Sequence, residues 1–238
     1  MKITLVQSSP KLNRTNLDDI LETINEYKDN SDIIIFPELC LNGYMLQDKL
    51  SEDAWSLDEL TKLSKISSSV DVVVGGAIKE DGSYTNSALY FSKGILLSQH
   101  KKVHLPNYGM FEEARYFSGG DVFESFMNST QRVSMLVCED LWHKEVHKDL
   151  IAQNPDLIIA LVASPARGFS DDGLEIEKKW YEIIKQVAKE CDANLVFVNR
   201  VGFEDGLGFW GGSCVVDNNG VIIEKLPQFK TDIKTVEI

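Results

Sequence analysis

The chain has 238 residues, 43% hydrophobic and 26% charged, enough apolar material for a large buried core, and a single domain over residues 1–238 is expected. With 37 acidic against 24 basic side chains the formal net charge is −13, and no basic cluster exceeds a pair such as Lys101-Lys102, which disfavours nucleic acid and anionic membranes as partners. No window approaches the ~18 consecutive apolar residues of a membrane span, and the N-terminus lacks a signal-peptide core, so a cytoplasmic protein is expected, with Cys40, Cys138, Cys191 and Cys214 reduced.

In chain order, Ile3 to Val6 reads as a first strand. Leu17, Ile20, Leu21 and Ile24 then fall on one face of a helix. Strands are expected at Asp32 to Phe36, Asp71 to Val74, Ser87 to Ser92 and Ile95 to Gln99, with a helix from about Asp53 to Ser67. Further strands fall at Val133 to Val137, Leu157 to Val162 and Asn194 to Val198. Trp180, Ile183, Ile184, Val187, Ala188 and Cys191 form a second helical stripe. Most strand segments are continuous apolar runs, as in sheets buried on both faces. Asp81-Gly82-Ser83 and Asp217-Asn218-Asn219-Gly220 are hairpin turns, so the neighbouring strands should pair antiparallel. The whole reads as an α/β or α+β architecture of mixed sheets covered by helices, with no repeat or linker to divide it.

Three segments carry chemistry. The apolar run Val133 to Val137 leads directly into Cys138-Glu139-Asp140-Leu141-Trp142, which places a thiol at a strand end where backbone N–H groups can face a substrate; burial as a small core residue is the competing fate of Cys138. A free thiol with pKa of about 8.5 is scarcely ionised at neutral pH, and Glu139 and Asp140 would raise that value if they pointed at the sulfur. One cation about 4 Å away contributes roughly 4 kcal/mol at an effective dielectric of about 20, or about three pKa units, so a single lysine would suffice. In His100 to Gly109, strand alternation sends Lys102 and His104 to one face and Lys101 and Val103 to the other, although a Lys-Lys pair is usually a solvated surface feature. Glu38 directly follows the buried run Ile33-Ile34-Ile35-Phe36-Pro37, where a carboxylate against an apolar wall can shuttle protons, or alternatively cap the next turn.

Phe36-Pro37-Glu38-Leu39-Cys40-Leu41-Asn42-Gly43-Tyr44, Lys102 to Gly109 with Glu113-Ala114-Arg115-Tyr116-Phe117, and Val137 to Trp142 together resemble, in order and spacing, the nitrilase superfamily of carbon–nitrogen hydrolases. The likeness continues through Ala163-Ser164-Pro165 and Val198 to Gly202 as far as Gly211-Gly212-Ser213. It implies a four-layer α-β-β-α sandwich, assembly into homodimers or higher even-numbered homo-oligomers, and no cofactor and no metal. It also implies catalytic roles: Glu38 as general base, Lys102 as the cation steadying an oxyanion, Cys138 as nucleophile and Glu113 as a second glutamate orienting Lys102 or relaying protons. Glu112 is adjacent to the last of these and shares its chemistry. Tyr44, Tyr108, Glu139, Trp142 and Ser164 are expected to wall the substrate pocket, with core packing and loop hydrogen bonds as their alternatives.

The Pro37 to Tyr44 and Leu105 to Gly109 phrases resemble most closely the glutaminase domains of glutamine-dependent NAD synthetases, which implies glutamine or another small ω-amide as substrate. Ser118-Gly119-Gly120-Asp121 breaks the spacing of a synthetase phosphate loop and follows no strand, so it reads as a turn. A nitrile substrate is disfavoured because Glu139, not Trp, follows the thiol. An N-carbamoyl substrate would bring a carboxylate to an arginine, for which Arg167 and Arg200 are the candidates unless they are solvated surface charges. Two readings compete. Cys138, His143 and His147 could bind zinc, since the histidines are four apart, but the order matches neither zinc-protease pattern. The scaffold could instead be a partner-dependent or non-catalytic subunit.

Overall fold

The computed structural model describes residues 1–238. Two six-stranded sheets make its centre. In spatial order the first contains Asp232–Glu237, Lys2–Gln7, Ile33–Ile35, Asp71–Glu80, Ser83–Ser92 and Ile95–Lys101. The second contains Ile222–Lys225, Cys214–Val216, Asn194–Asn199, Leu157–Val162, Arg132–Val137 and Phe126–Met127. Each sheet has three parallel strands at its middle and antiparallel strands outside them.

The period-two geometry of a strand explains why the runs are apolar throughout. Met135 and Val137 face the space between the sheets, where they meet Ile3, Leu5, Ile33 and Ile35. Leu136, one residue out of phase, faces the helices Lys144–Gln153 and Glu175–Cys191 through Leu150, Trp180 and Ile184. On the first sheet Ile34, Val72 and Val74 face outward beneath the helices Asn16–Tyr27 and Thr61–Ile66. The layers therefore run helix, sheet, sheet, helix, the four-layer sandwich. No helix is long and apolar enough to cross a membrane.

The helix expected from Asp53 to Ser67 is broken. Leu50–Asp53 makes one turn, and the chain then extends through Trp55, whose N–H donates to the Ala77 carbonyl at 2.9 Å and whose carbonyl accepts from Lys79 N–H at 2.8 Å. Helical structure resumes only after Ser56, where Glu59 closes a capping box, as a 3-10 turn Leu57–Leu60 followed by Thr61–Ile66. Tertiary pairing with the neighbouring strand overrides the local helical pattern. The Asp81-Gly82 turn joins Asp71–Glu80 to Ser83–Ser92 in a long hairpin, and Val216 pairs with Ile222 across the Asp217 to Gly220 turn.

Gln7, Ile35, Val137, Val162 and Asn199 end five of the six parallel strands. Ligand sites in parallel sheets gather at the carboxyl ends of strands, and the segments that follow Ile35 and Val137 carry Glu38 and Cys138, while Lys102 follows the antiparallel strand Ile95–Lys101.

Candidate active site

Glu38, Lys102 and Glu113 meet in the interior. The Lys102 ammonium donates to Glu38 Oε1 at 2.9 Å and to Glu113 Oε1 at 2.8 Å, and Glu113 Oε2 lies 2.7 Å away. An ammonium has three N–H donors, so one remains beyond the two glutamates. Glu38 is fixed further by Asn86 Nδ2 on Oε1 at 2.8 Å and by the Ala163 N–H on Oε2 at 2.7 Å, which ties the first sheet to a strand end of the second. The same Asn86 accepts the Lys102 N–H at its carbonyl, 2.8 Å away. Gly75 makes the Glu38 turn possible: a Cβ there would stand 2.6 Å from Leu39 N and 2.8 Å from Glu38 Cα. Of the two adjacent glutamates, Glu113 is 6% exposed and grips Lys102, whereas Glu112 is 55% exposed and reaches only Arg115.

Cys138 follows the Arg132–Val137 strand with φ of +45°, a left-handed conformation that costs a non-glycine residue about 1–3 kcal/mol. Asp140 holds this turn. Its carboxylate is buried and accepts from His100 Nε2 at 2.8 Å and from the N–H groups of Val137 at 3.1 Å, His104 at 2.9 Å and Val103 at 3.1 Å. One side chain thus pins the cysteine turn to the segment that carries Lys102. These donors, outweighing its burial, hold its carboxyl below the usual range.

The expectation that one lysine would lower the thiol pKa is overturned. Burial, together with the Glu38, Glu113 and Glu139 carboxylates, outweighs Lys102 and pushes the Cys138 thiol well above its ordinary 9.0. Two carboxylates against one ammonium leave an excess negative charge, and a thiolate would add another. Burial alone would depress Lys102, but Glu113 and Glu38 more than offset it and keep the ammonium charged. Burial raises Glu113, against the pull of Lys102, and Glu38 raises it further.

Tyr44, Tyr108, Glu139, Trp142 and Ser164 all line the cavity that Cys138 opens onto, which Arg167 also borders. Tyr44 is buried and donates its hydroxyl to Glu113 Oε1 at 2.6 Å. Tyr108 donates to the Glu139 carboxylate at 2.9 Å; burial and that acceptor push its pKa up to about 12. Trp142 packs edge-on against Trp180, whose indole N–H donates to the Ser164 hydroxyl at 2.9 Å. Arg167, stacked over Phe111, Tyr108 and Trp142 also border a wider outer cleft with Glu175 and Lys179.

Arg200 is elsewhere. It is fully buried, bound to Glu204 at 2.8 Å and to the Pro10 carbonyl at 3.1 Å, and it is neither a surface charge nor a wall of the Cys138 cavity. The trio Cys138, His143 and His147 does not assemble either, because His147 Nε2 is engaged with the Leu141 carbonyl at 2.8 Å. His143 stacks on His104 with ring centroids 3.6 Å apart and planes 8° apart. His104, His143 and Glu145 bring ligand atoms within 4.8 Å of one another, but the ring lone pairs lie in parallel planes and do not converge. The Ser118-Gly119-Gly120-Asp121 segment is irregular, and its Gly120 N–H donates to the Lys102 carbonyl at 2.9 Å.

Sequence reading passed over Asn86, His100 and Glu204, and it gave Asp140 no positioning role. Asp140, two residues after the thiol, carried a local signal; Asn86 and Glu204 act on residues 48 and 160 positions away and carried none.

The carbon–nitrogen hydrolase family profile matches residues 2–238. The glutamine-dependent NAD(+) synthetase of Acinetobacter baylyi is 32% identical over 240 residues, covering 98% of this chain and 43% of the relative. The Thermotoga maritima protein of the same name is 31% identical over 248 residues, 100% of this chain and 42% of the relative. The chain thus spans less than half the length of these curated relatives. Among solved structures, Acinetobacter baumannii glutamine-dependent NAD+ synthetase in complex with ADP superposes with a TM-score of 0.88 at 32% identity, over 98% of this chain and 44% of that one. The carbon–nitrogen hydrolase of Helicobacter pylori G27 shares the fold, with a TM-score of 0.87 at 22% identity over 100% of this chain and 89% of its own. Profile, relatives and architecture agree, and the chain belongs to the carbon–nitrogen hydrolase family of the nitrilase superfamily.

Proposed function

We propose that the chain hydrolyses the terminal amide of a small amino-acid-like compound, with glutamine as the leading candidate, through a thioester on Cys138. The observation that carries this is the buried Lys102 ammonium set between Glu38 and Glu113 beside a thiol held at positive φ. Because the resting thiol is protonated, a base must act as it attacks. Glu38 takes the Cys138 proton as the sulfur bonds to the amide carbon. The carbonyl electron pair moves to oxygen, held by the third N–H of Lys102 and the N–H of Glu139. Glu38 returns the proton to the amide nitrogen, the C–N bond breaks and ammonia leaves. Water then loses a proton to Glu38 and adds to the thioester. Collapse releases the carboxylic acid, and the sulfur regains its proton from Glu38.

The pocket supports the substrate class. Arg167 and Glu139 at its wall offer partners for an α-carboxylate and an α-ammonium. The NAD synthetase relatives act with glutamine, as their name states, which supports the same reading. The test is ammonia release over ω-amides, carbamoyl amino acids and nitriles, with and without candidate partner proteins and with Cys138→Ala alongside. Turnover of at least one amide by the native chain and none by the variant is expected; equal turnover by both refutes the nucleophile.

A further inference from the structure

On the far side of Tyr44 from Glu113 lies a second buried ion pair. Arg200 follows the Asn194–Asn199 strand and Glu204 ends the next strand, Val201–Glu204, with Arg200 Nη1 2.8 Å from Glu204 Oε2. The other oxygen, Glu204 Oε1, accepts two successive backbone N–H groups, those of Tyr44, at 2.7 Å, and of Met45. Gly43 fits this contact: at φ of +86° a Cβ would come 3.0 Å from Glu204 Oε2 and 2.8 Å from Leu12 Cα and the Lys11 carbonyl. The Tyr44 ring packs edge-on against Phe209 at 5.9 Å, and Phe209 in turn lies under the Arg200 guanidinium at 4.2 Å. Tyr44 is therefore held at both ends, its main chain by Glu204 and its hydroxyl by Glu113 at 2.6 Å.

We infer that Glu204 is a positioning residue for the hydrolytic site, acting through Tyr44 to keep a hydroxyl donor on Glu113 and so keep Glu113 seated on Lys102. The inference rests on the catalytic reading above. A carboxylate that is buried, paired with a buried arginine and spent on two adjacent amides fixes a segment in place. The segment so fixed contributes one group to the catalytic cluster, the Tyr44 hydroxyl. The groups facing Glu113 are Lys102, Glu38, Tyr44 and, across Lys102, Cys138. Among them Lys102 and Tyr44 favour its ionised form and Glu38 opposes it. When Tyr44 drifts, Glu113 loses a donor, takes up a proton at higher pH, and the acid limb of activity moves upward.

The test is a double-mutant cycle of Glu204→Ala and Tyr44→Phe, read as the pH profile of kcat/KM on an amide the chain turns over. The rate of acrylamide addition to Cys138, followed by mass spectrometry, is a second readout that needs no turnover. Each single variant is expected to lose about tenfold and to move the acid limb up by about one pH unit. The pair should lose no more than about twofold beyond Tyr44→Phe, because both act through one hydroxyl. Multiplying losses, or an unmoved acid limb, overturn the proposal, since a general loosening of the fold would add to Tyr44→Phe. Glu204→Gln, which keeps one acceptor oxygen and its volume, is run through the same cycle in case the alanine variant does not fold, with a smaller shift in the same direction expected. Cys138→Ala separates the two levels: if it retains turnover the catalytic reading fails, whereas a dead Cys138→Ala with an additive cycle removes the role of Glu204 alone.

Discussion

The molecule buries two ion clusters on either side of one tyrosine and uses them differently. Arg200 and Glu204 match one positive charge with one negative, and the remaining acceptor capacity goes to backbone amides of the Tyr44 segment. Lys102 faces two carboxylates, which leaves a surplus negative charge beside a cysteine. A matched pair fixes the chain, whereas in the function proposed above the unmatched one takes a proton and holds the oxygen of a substrate. Desolvating charges is expensive in both places, so the mismatch at Lys102 is held by surrounding structure: Asn86, the Ala163 amide and Tyr44 all donate into it. In this protein charge balance separates the two roles, although burial is nearly complete in both.

The contrast can be broken by removing each cation. Lys102→Met should lower turnover by about 10²–10³-fold or more, as expected for loss of an oxyanion donor, and ammonia release measures it. Arg200→Met leaves Glu204 buried without its partner and should destabilise the fold by about 3–5 kcal/mol in denaturant unfolding, with a smaller loss of turnover than Lys102→Met. Equal losses of turnover in the two variants would erase the distinction. The smallest effect concerns the thiol. A raised pKa favours the protonated sulfur, so the thiolate fraction of Cys138 at neutral pH falls below that of a free cysteine. Its alkylation by iodoacetamide should therefore keep rising with pH through 9.0. A plateau below about pH 8 would mean that Lys102 dominates after all.

The residues legible from sequence are those whose chemistry is out of place locally. Glu38 follows an apolar strand and Cys138 ends another, so each stood out against its neighbours, whereas Lys102 belongs to a Lys-Lys pair that locally reads as solvated surface. The family resemblance then gave the order in which they combine and favoured Glu113 over Glu112. The four-layer sandwich was legible for a similar reason, since strands buried on both faces leave continuous apolar runs. What stayed hidden depends on distant pairing. The break at Trp55 is made by a strand more than twenty positions later, and the link from Glu204 to Tyr44 spans 160 positions. The sign of the Cys138 shift was also out of reach, because it depends on how many carboxylates close on one lysine rather than on whether a lysine is near.

The most direct test of the central claim is rapid acid quenching of the native chain during turnover of an amide, followed by peptide mass mapping. The account predicts the acyl group of that amide on the peptide containing Cys138 and on none containing Cys40, Cys191 or Cys214. Turnover that leaves Cys138 unmodified at every quench time, with the acyl group found on another residue, would contradict it.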